Sequence, residues 1–489
     1  MIRRVNHRIT APPVAPAVVA WAIGCGWLAG AAATEPATTE REAQAPADAG
    51  ELASQRDAAY REFKAHFEAG RYNEALPAAE RVAVLTEAID PQHRELPSAL
   101  NNLGATHYRL GDFIAAESAY SRALRLIEEH SGASSHRLIA PLLGLGLTYQ
   151  SGGRNDAAAP LLERAVAISR HADGLFNPGQ RELLLPLIDS YIALARWTDA
   201  DREENYAFRV SERQYGSSDL RLLPALHRLA RWYETGRRTN EARRVWQRML
   251  AIASDRTHQS RADIVTALRG YAHTFRLDYQ YGPDPSNDDP TLGPVAGGNA
   301  PGVQRDTFGR RVTSGVAADF RLDGQGREAL EAALGLMQKS APPAPPQAIA
   351  AVLLDLGDWQ QVAGRWDKAL PLYQRAWPAL PTEAGTAEAP VNPLAHPWQL
   401  LYRAPPSARR YVELAPAAVT ETVAIVAFTV TADGHVKDVN FVEGDAADTQ
   451  RSALAYALAR STWRPRFVDG QPVATEKVRF RETFRQAKH

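Results

Sequence analysis

Thirteen histidines and one cysteine are the residues of this chain best suited to holding a metal or activating a nucleophile. Their spacing supports neither. His66, His93, His107, His130, His136, His227, His258 and His273 are scattered. None forms a pair three residues apart with a neighbouring glutamate, and none follows a turn that would expose a nucleophile. Gly144-Leu145-Gly146 has no phosphate-binding continuation, and 132–135 lacks the lysine a nucleotide loop supplies. Ser286-Asn287-Asp288-Asp289 runs into Pro290 without the alternating ligand spacing of a calcium loop. No catalytic, cofactor-binding or metal-ligating residue is assigned, so the chain reads as a scaffold. The enzymatic alternative is a hydrolase site in the loop between Gly282 and Gly315, which requires a carboxylate pair or a Ser-His pair to converge there.

Composition narrows the partners. Lysine plus arginine and aspartate plus glutamate number 56 each over 489 residues, so no global field recruits nucleic acid or anionic lipid. The length predicts about two to four units.

Arg3, Arg4 and Arg8 precede an apolar run from Ala11 to Ala33 that ends in three alanines. That order is expected of a secretory signal, residues 1–33, with cleavage after Ala33 and a periplasmic product. Two alternatives use the same residues. The run is long enough to stay as an inner-membrane anchor, although Pro12, Pro13 and Pro16 interrupt its helix. Ala22-Ile23-Gly24-Cys25 loosely resembles a lipoprotein cleavage motif. Membrane contact is expected only through this terminus, if it is uncleaved or lipidated. Cys25 is the sole cysteine, so its removal excludes disulfides and thiolate chemistry from the mature chain. Residues 34–50, rich in alanine, proline and threonine, read as a tether.

Next comes an array. Leu103-Gly104, Gly111, Ala116, Tyr120 and Ala123 recur 42 residues later as Leu145-Gly146, Gly153, Ala158, Leu162 and Ala165. Further sets around Gly70, Ala195 and Gly236 keep an offset of 41 or 42 residues. Small residues let paired helices approach, glycine relieves the turn between them, and Leu, Tyr and Trp fill the groove of the next pair. Tyr60, Tyr72, Tyr108, Tyr149, Tyr191 and Tyr233 are expected to fill such gaps. This pattern resembles the tetratricopeptide repeat over Ala58–Tyr281, in units placed within 51–281. Residues 282–315, rich in proline and glycine, are expected as a loop inserted in one solenoid, with two separately packed pieces as the alternative. A further helical region, 316–378, holds the clearest copy, with Gly357, Gly364, Trp366 and Ala369. The array offers a surface for a protein or peptide.

After a proline-rich linker, 379–410, the period shifts to alternation. Val423–Val430, an Asp433-Gly434 turn and Val436–Glu443 predict a hairpin; Asp448–Ser461 predicts a helix; Val473–Phe484 predicts a closing strand. The fold class is thus mainly α, a tetratricopeptide-type α-solenoid followed by a small α+β domain at 411–489. The hairpin, the helix, Trp463-Arg464-Pro465-Arg466-Phe467 and the Asp469-Gly470 turn together resemble the C-terminal domain of TonB, over Leu414–Phe484. That resemblance implies strand addition by a segment of an outer-membrane receptor at the sheet edge, with Lys477, Arg479 and Arg481 orienting it, or else serving as charges that keep the edge from aggregating. Trp463, Pro465 and Phe467 are expected in the core. The partners implied are envelope proteins or peptides. The apolar N-terminal run has no histidine and the array replaces most of an extended linker, which departs from a full energy transducer; an anchored transducer remains the alternative.

Overall fold

The computed structural model describes residues 45–255, 260–281, 303–305, 311–313, 315–339, 344–381, 392–405 and 419–487. The signal or anchor segment, including Cys25, lies outside them, as does most of the 282–315 insertion. Two compact units divide the described residues, the first ending at Ala225 and the second beginning at Leu226.

The first unit is a run of helical hairpins: α1 (Ala45–Glu68) with α2 (Tyr72–Ile89), α3 (Leu96–Leu110) with α4 (Phe113–Ser131), α5 (Ile139–Ser151) with α6 (Asn155–Asp173), and α7 (Gln180–Ala193) with α8 (Trp197–Tyr215). The small residues do what their period predicts. Ala75, Ala116, Ala158 and Ala200, spaced 41 or 42 apart, are all 0% exposed, as are Ala123 and Ala165. The hairpin turns need a left-handed residue, and Gly70, Gly111 and Gly153 provide it at φ +72°, +79° and +74°. At the same place in the next turn Ala195 adopts φ +57° despite its Cβ. Helix α1 starts at Ala45, so the expected tether turns helical before residue 50; alanines favour the helix, and Pro46 is tolerated in a first turn.

The second unit continues with α9 (Leu223–Thr235), which crosses the unit boundary, α10 (Thr239–Ala253), α11 (Arg261–Tyr281), α12 (Gly315–Gln338), α13 (Pro346–Val362) and α14 (Trp366–Ala376). Helix α11 packs on α12 and α12 on α13, so the insertion interrupts a single helical hairpin and the array continues past it. Inside the insertion, expected as loop, β1 (Val303–Arg305) and β2 (Arg311–Thr313) pair antiparallel, consistent with the strand preference of valine and threonine in those two segments.

The α+β part comprises β3 (Trp398–Leu401), β4 (Val419–Val430), β5 (Val436–Gly444), α15 (Asp448–Ala459), β6 (Thr462–Arg464), β7 (Arg466–Val468), β8 (Gln471–Val473) and β9 (Thr475–Ala487). An antiparallel sheet of order β5-β4-β9 buries Ala424, Val426, Phe428 and Val430, alternate residues of β4, beneath Leu454 and Leu458 of α15. Two details depart from expectation. The segment read as linker contributes β3, which pairs with β6, and the closing strand is preceded by a separate β8 paired with β7. Pairing partners distant in sequence decide both, and local pattern carries no trace of them.

Candidate interaction surfaces

The first surface is the outer edge of the terminal sheet. Strand β9 pairs only with β4 among the described residues, which leaves its other edge open. Lys477, Arg479 and Arg481 are all exposed on it. Arg479 stands opposite Ala427 and Arg481 opposite Ile425, while the intervening Phe480 and Val478 turn toward the core. Lys477 is different. It has φ +55° and sits where the register shifts between Phe428 and Val430, so a bulge sets it apart from the two arginines. Arg479 also reaches to within 4.0 Å of Glu443 on β5, spanning the central strand. Such an exposed pair contributes little stability, and bulge plus charge fit edge protection as well as recognition.

Trp463, Pro465 and Phe467 are buried, as expected, but in two different cores. Trp463 packs in the sheet core, its ring 5.3 Å from Phe428. Phe467 instead enters the last helical hairpin, 5.6 Å from Tyr373 and stacked on Trp377 at 6.4 Å. Between them Arg464, 6% exposed, donates to both oxygens of Asp358 on α13 at 3.0 and 3.2 Å and to the Pro393 carbonyl at 3.1 Å. The Gln361 amide donates to the carbonyls of Trp463, at 2.6 Å, and Asp433, at 3.2 Å. Tyr373, 0% exposed, donates its hydroxyl to Asp358 at 2.9 Å; burial, followed by the neighbouring Asp358 charge, raises its pKa well above the ordinary phenol value. Gly434 is required here, because a Cβ would lie 1.9 Å from the Trp463 carbonyl oxygen. The terminal domain is therefore seated on α13 and α14 by buried polar contacts.

The remaining structural residues are placed as the repeat demands. Gly104 faces the Tyr120 ring, Ala369 is 0% exposed, and Trp366 is half-buried with its ring 6.2 Å from Tyr373. Several tyrosines do more than fill gaps. Arg154 lies over Tyr149 at 4.1 Å, Arg196 over Tyr191 at 4.3 Å and Arg238 over Tyr233 at 4.4 Å, each arginine five residues after its ring. Tyr149 and Arg154 both donate to Glu117, holding its carboxyl below the usual range through the Arg154 hydrogen bond against the opposing effect of burial. These clasps lock each hairpin turn to the preceding helix.

Two concavities open between the first helices of successive hairpins. One, about 80 Å³, lies among α3, α5 and α7 and is walled by Ala105, Ala140, Leu143, Leu147 and Leu183, with Asn101, Arg109, Asp173 and Glu182 among its polar residues. Burial raises the Glu182 carboxyl above its ordinary pKa. The other, about 310 Å³, lies among α9, α11 and α13 and carries His227, Arg231, Arg269, His273, Arg276 and Asp355. Its cations are held by carboxylates: Arg231 by Glu234 at 2.5 Å, Arg269 by Asp355 at 2.6 Å and Arg276 by Asp358 at 3.5 Å. His227 meets Trp246 edge-on at 5.3 Å; burial, then the Arg231 charge, lowers its pKa.

Sequence reasoning missed Asp358, Gln361 and Arg464, which pair across roughly a hundred residues of chain. The spacing of Arg269, His273 and Arg276 at i, i+4 and i+7 was a legible sign of one polar helical stripe. Among the described residues no group of three or more His, Cys, Asp or Glu could hold a metal ion, and no helix is long and apolar enough to cross a membrane.

Sequence models of the tetratricopeptide repeat match residues 64–129 and 95–171, and a second such model matches 225–260. No curated protein matches the chain. Among solved structures, the TPR-like repeats of a kinesin-light-chain candidate from Podosopora anserina are 21% identical, with a TM-score of 0.37, covering 42% of this chain and 96% of that one. BtubC (BKLC) from P. vanneervenii is 18% identical, with a TM-score of 0.36 and coverage of 58% and 90%. The STAND protein PH0952 from Pyrococcus horikoshii, with its tetratricopeptide repeat sensor, is 11% identical, with a TM-score of 0.42 and coverage of 68% and 43%. With the matched segments falling on the alanine-spaced hairpins described above, the chain is a tetratricopeptide-repeat protein.

Proposed function

We propose that this protein is a non-enzymatic interaction scaffold of the bacterial envelope, exported through residues 1–33. Its helical array holds a protein or peptide, and its TonB-like terminal domain offers the β9 edge to a second envelope protein. The observation that carries this reading is the seat of the terminal domain. Arg464 on Asp358 and Gln361 on the Trp463 carbonyl fix the domain to α13, while the edge bearing Arg479 and Arg481 stays in solvent. A domain held in this way presents its edge from a fixed platform, which suits an adaptor better than a transducer that must reach along a free linker. The contact expected at that edge is strand addition, with the arginines selecting an acidic segment.

The test is fractionation of cells expressing the full chain, sequencing of the mature N-terminus, and coprecipitation with Arg479→Glu/Arg481→Glu. The reading predicts a periplasmic protein beginning at Thr34 whose capture of one envelope partner is lost on charge reversal. An intact N-terminus retained in the inner membrane, with an outer-membrane receptor as the captured partner, supports the anchored transducer instead. A cytoplasmic product overturns both.

A further inference from the structure

In three hairpins an aromatic ring on the second helix reaches a glycine on a first helix, because no side chain could fit there. A Cβ on Gly270 would lie 2.3 Å from Trp246, one on Gly357 2.4 Å from Tyr373, and one on Gly144 2.3 Å from Tyr120. Trp246 and Tyr120 are separated by three 42-residue offsets, so they occupy one position of the repeat. The polar ends of these rings have different fates. Trp246 donates its Nε1 hydrogen to Glu234 at 2.8 Å, and Tyr373 donates its hydroxyl to Asp358 at 2.9 Å. Tyr120 is 3% exposed, and its hydroxyl has no hydrogen-bond partner among the described residues. Instead the ring lies beside Gly104 and Gly144 and borders the concavity of α3, α5 and α7. Asn101, in the same concavity, has a buried carbonyl oxygen that also lacks a partner.

A buried hydroxyl without a partner costs about 1–3 kcal/mol, a cost the equivalent residues avoid with a neighbouring carboxylate. Here the surrounding wall is aliphatic: Ala105, Ala140, Leu143 and Leu147. A mostly apolar cavity with one hydroxyl and one carboxamide is matched by a peptide group flanked by an aliphatic side chain. We infer that this concavity binds an apolar segment of a partner polypeptide, one aliphatic side chain against Leu143 and Leu147 and its peptide carbonyl accepting from the Tyr120 hydroxyl. The Asn101 carboxamide supplies the second peptide contact. The inference rests on the scaffold reading and deepens it, naming aliphatic peptide chemistry for the array.

The test uses the full chain with ¹³C-labelled tyrosine, titrated with N-acetyl-leucine N′-methylamide and, separately, N-acetyl-glycine N′-methylamide. The leucine compound is expected to shift the Tyr120 ring resonance saturably, and the glycine compound to bind markedly more weakly. Tyr120→Phe keeps the ring and removes only the hydroxyl; it is expected to weaken binding by about 2- to 10-fold. Leu143→Asp, with an unchanged melting profile, is expected to abolish it. Absence of a saturable shift overturns the inference, as does equal binding of both compounds or unchanged binding in Tyr120→Phe. If binding fails while envelope partners still coprecipitate, this inference falls and the scaffold reading stands.

Discussion

Arg464 lies between the cores that hold Trp463 and Phe467 and grips both oxygens of Asp358 on α13, at 3.0 and 3.2 Å, with both side chains almost wholly buried. The pair joins the terminal domain to the array. Breaking one half of such a pair leaves a charge in a low-dielectric seam. Arg464→Met is therefore expected to cost about 3–5 kcal/mol, measured by urea unfolding. Pairing it with Asp358→Leu removes the stranded charge and is expected to recover part of the loss.

The Gly357 position is equally constrained. Tyr373 is pinned by Asp358 and Gln361, so its ring cannot yield to a methyl group that would sit 2.4 Å away. Gly357→Ala is expected to destabilise by about 1–3 kcal/mol, seen as a lowered unfolding midpoint.

At Ala195 the opposite change helps. The residue is exposed and takes φ +57° where other turns place glycine at φ +74° or +79°. Ala195→Gly is expected to stabilise the first unit by about 0.5–1 kcal/mol, since the relieved left-handed strain exceeds the added chain entropy. A lowered midpoint would show the turn to be unstrained.

Acid sensitivity is expected at Glu234. Burial alone would raise its pKa, but the His273 hydrogen bond and charge, Arg231 and the Trp246 indole hold it below its ordinary value of 4.5. The unfolded chain then binds the proton more readily. The contribution of Glu234 is full above that ordinary value and is lost as pH falls through the folded value. Urea midpoints measured down through the carboxylate range should fall in the parent and fall less steeply in Glu234→Gln.

Much of this architecture was legible because its causes are local. The 42-residue return of Gly111 at Gly153, and of Ala116 at Ala158, reports helix crossing directly, and alternation along Val423–Val430 reports a half-buried strand. The seam was not legible. Asp358 reads as one more polar residue of a repeat and Arg464 as one more charge in a strand, and only the folded chain brings residues 106 positions apart into contact. Phe467 shows the same limit, since its hydrophobicity announced burial without saying in which core. The unpartnered Tyr120 hydroxyl was hidden for a related reason: tyrosine at that position reads as filler, and only its missing partner distinguishes it from Tyr373.

The central claim is that the array and the terminal edge engage separate polypeptides. It is tested most directly by placing a photo-crosslinking amino acid at Leu143 or at Arg481 of the full chain in living cells. The account predicts a discrete adduct from each position, of different mass, with the Arg481 adduct lost when β9 is outcompeted by an added strand-forming acidic peptide. Absence of adducts from both positions, in cells where the folded protein accumulates, would contradict it.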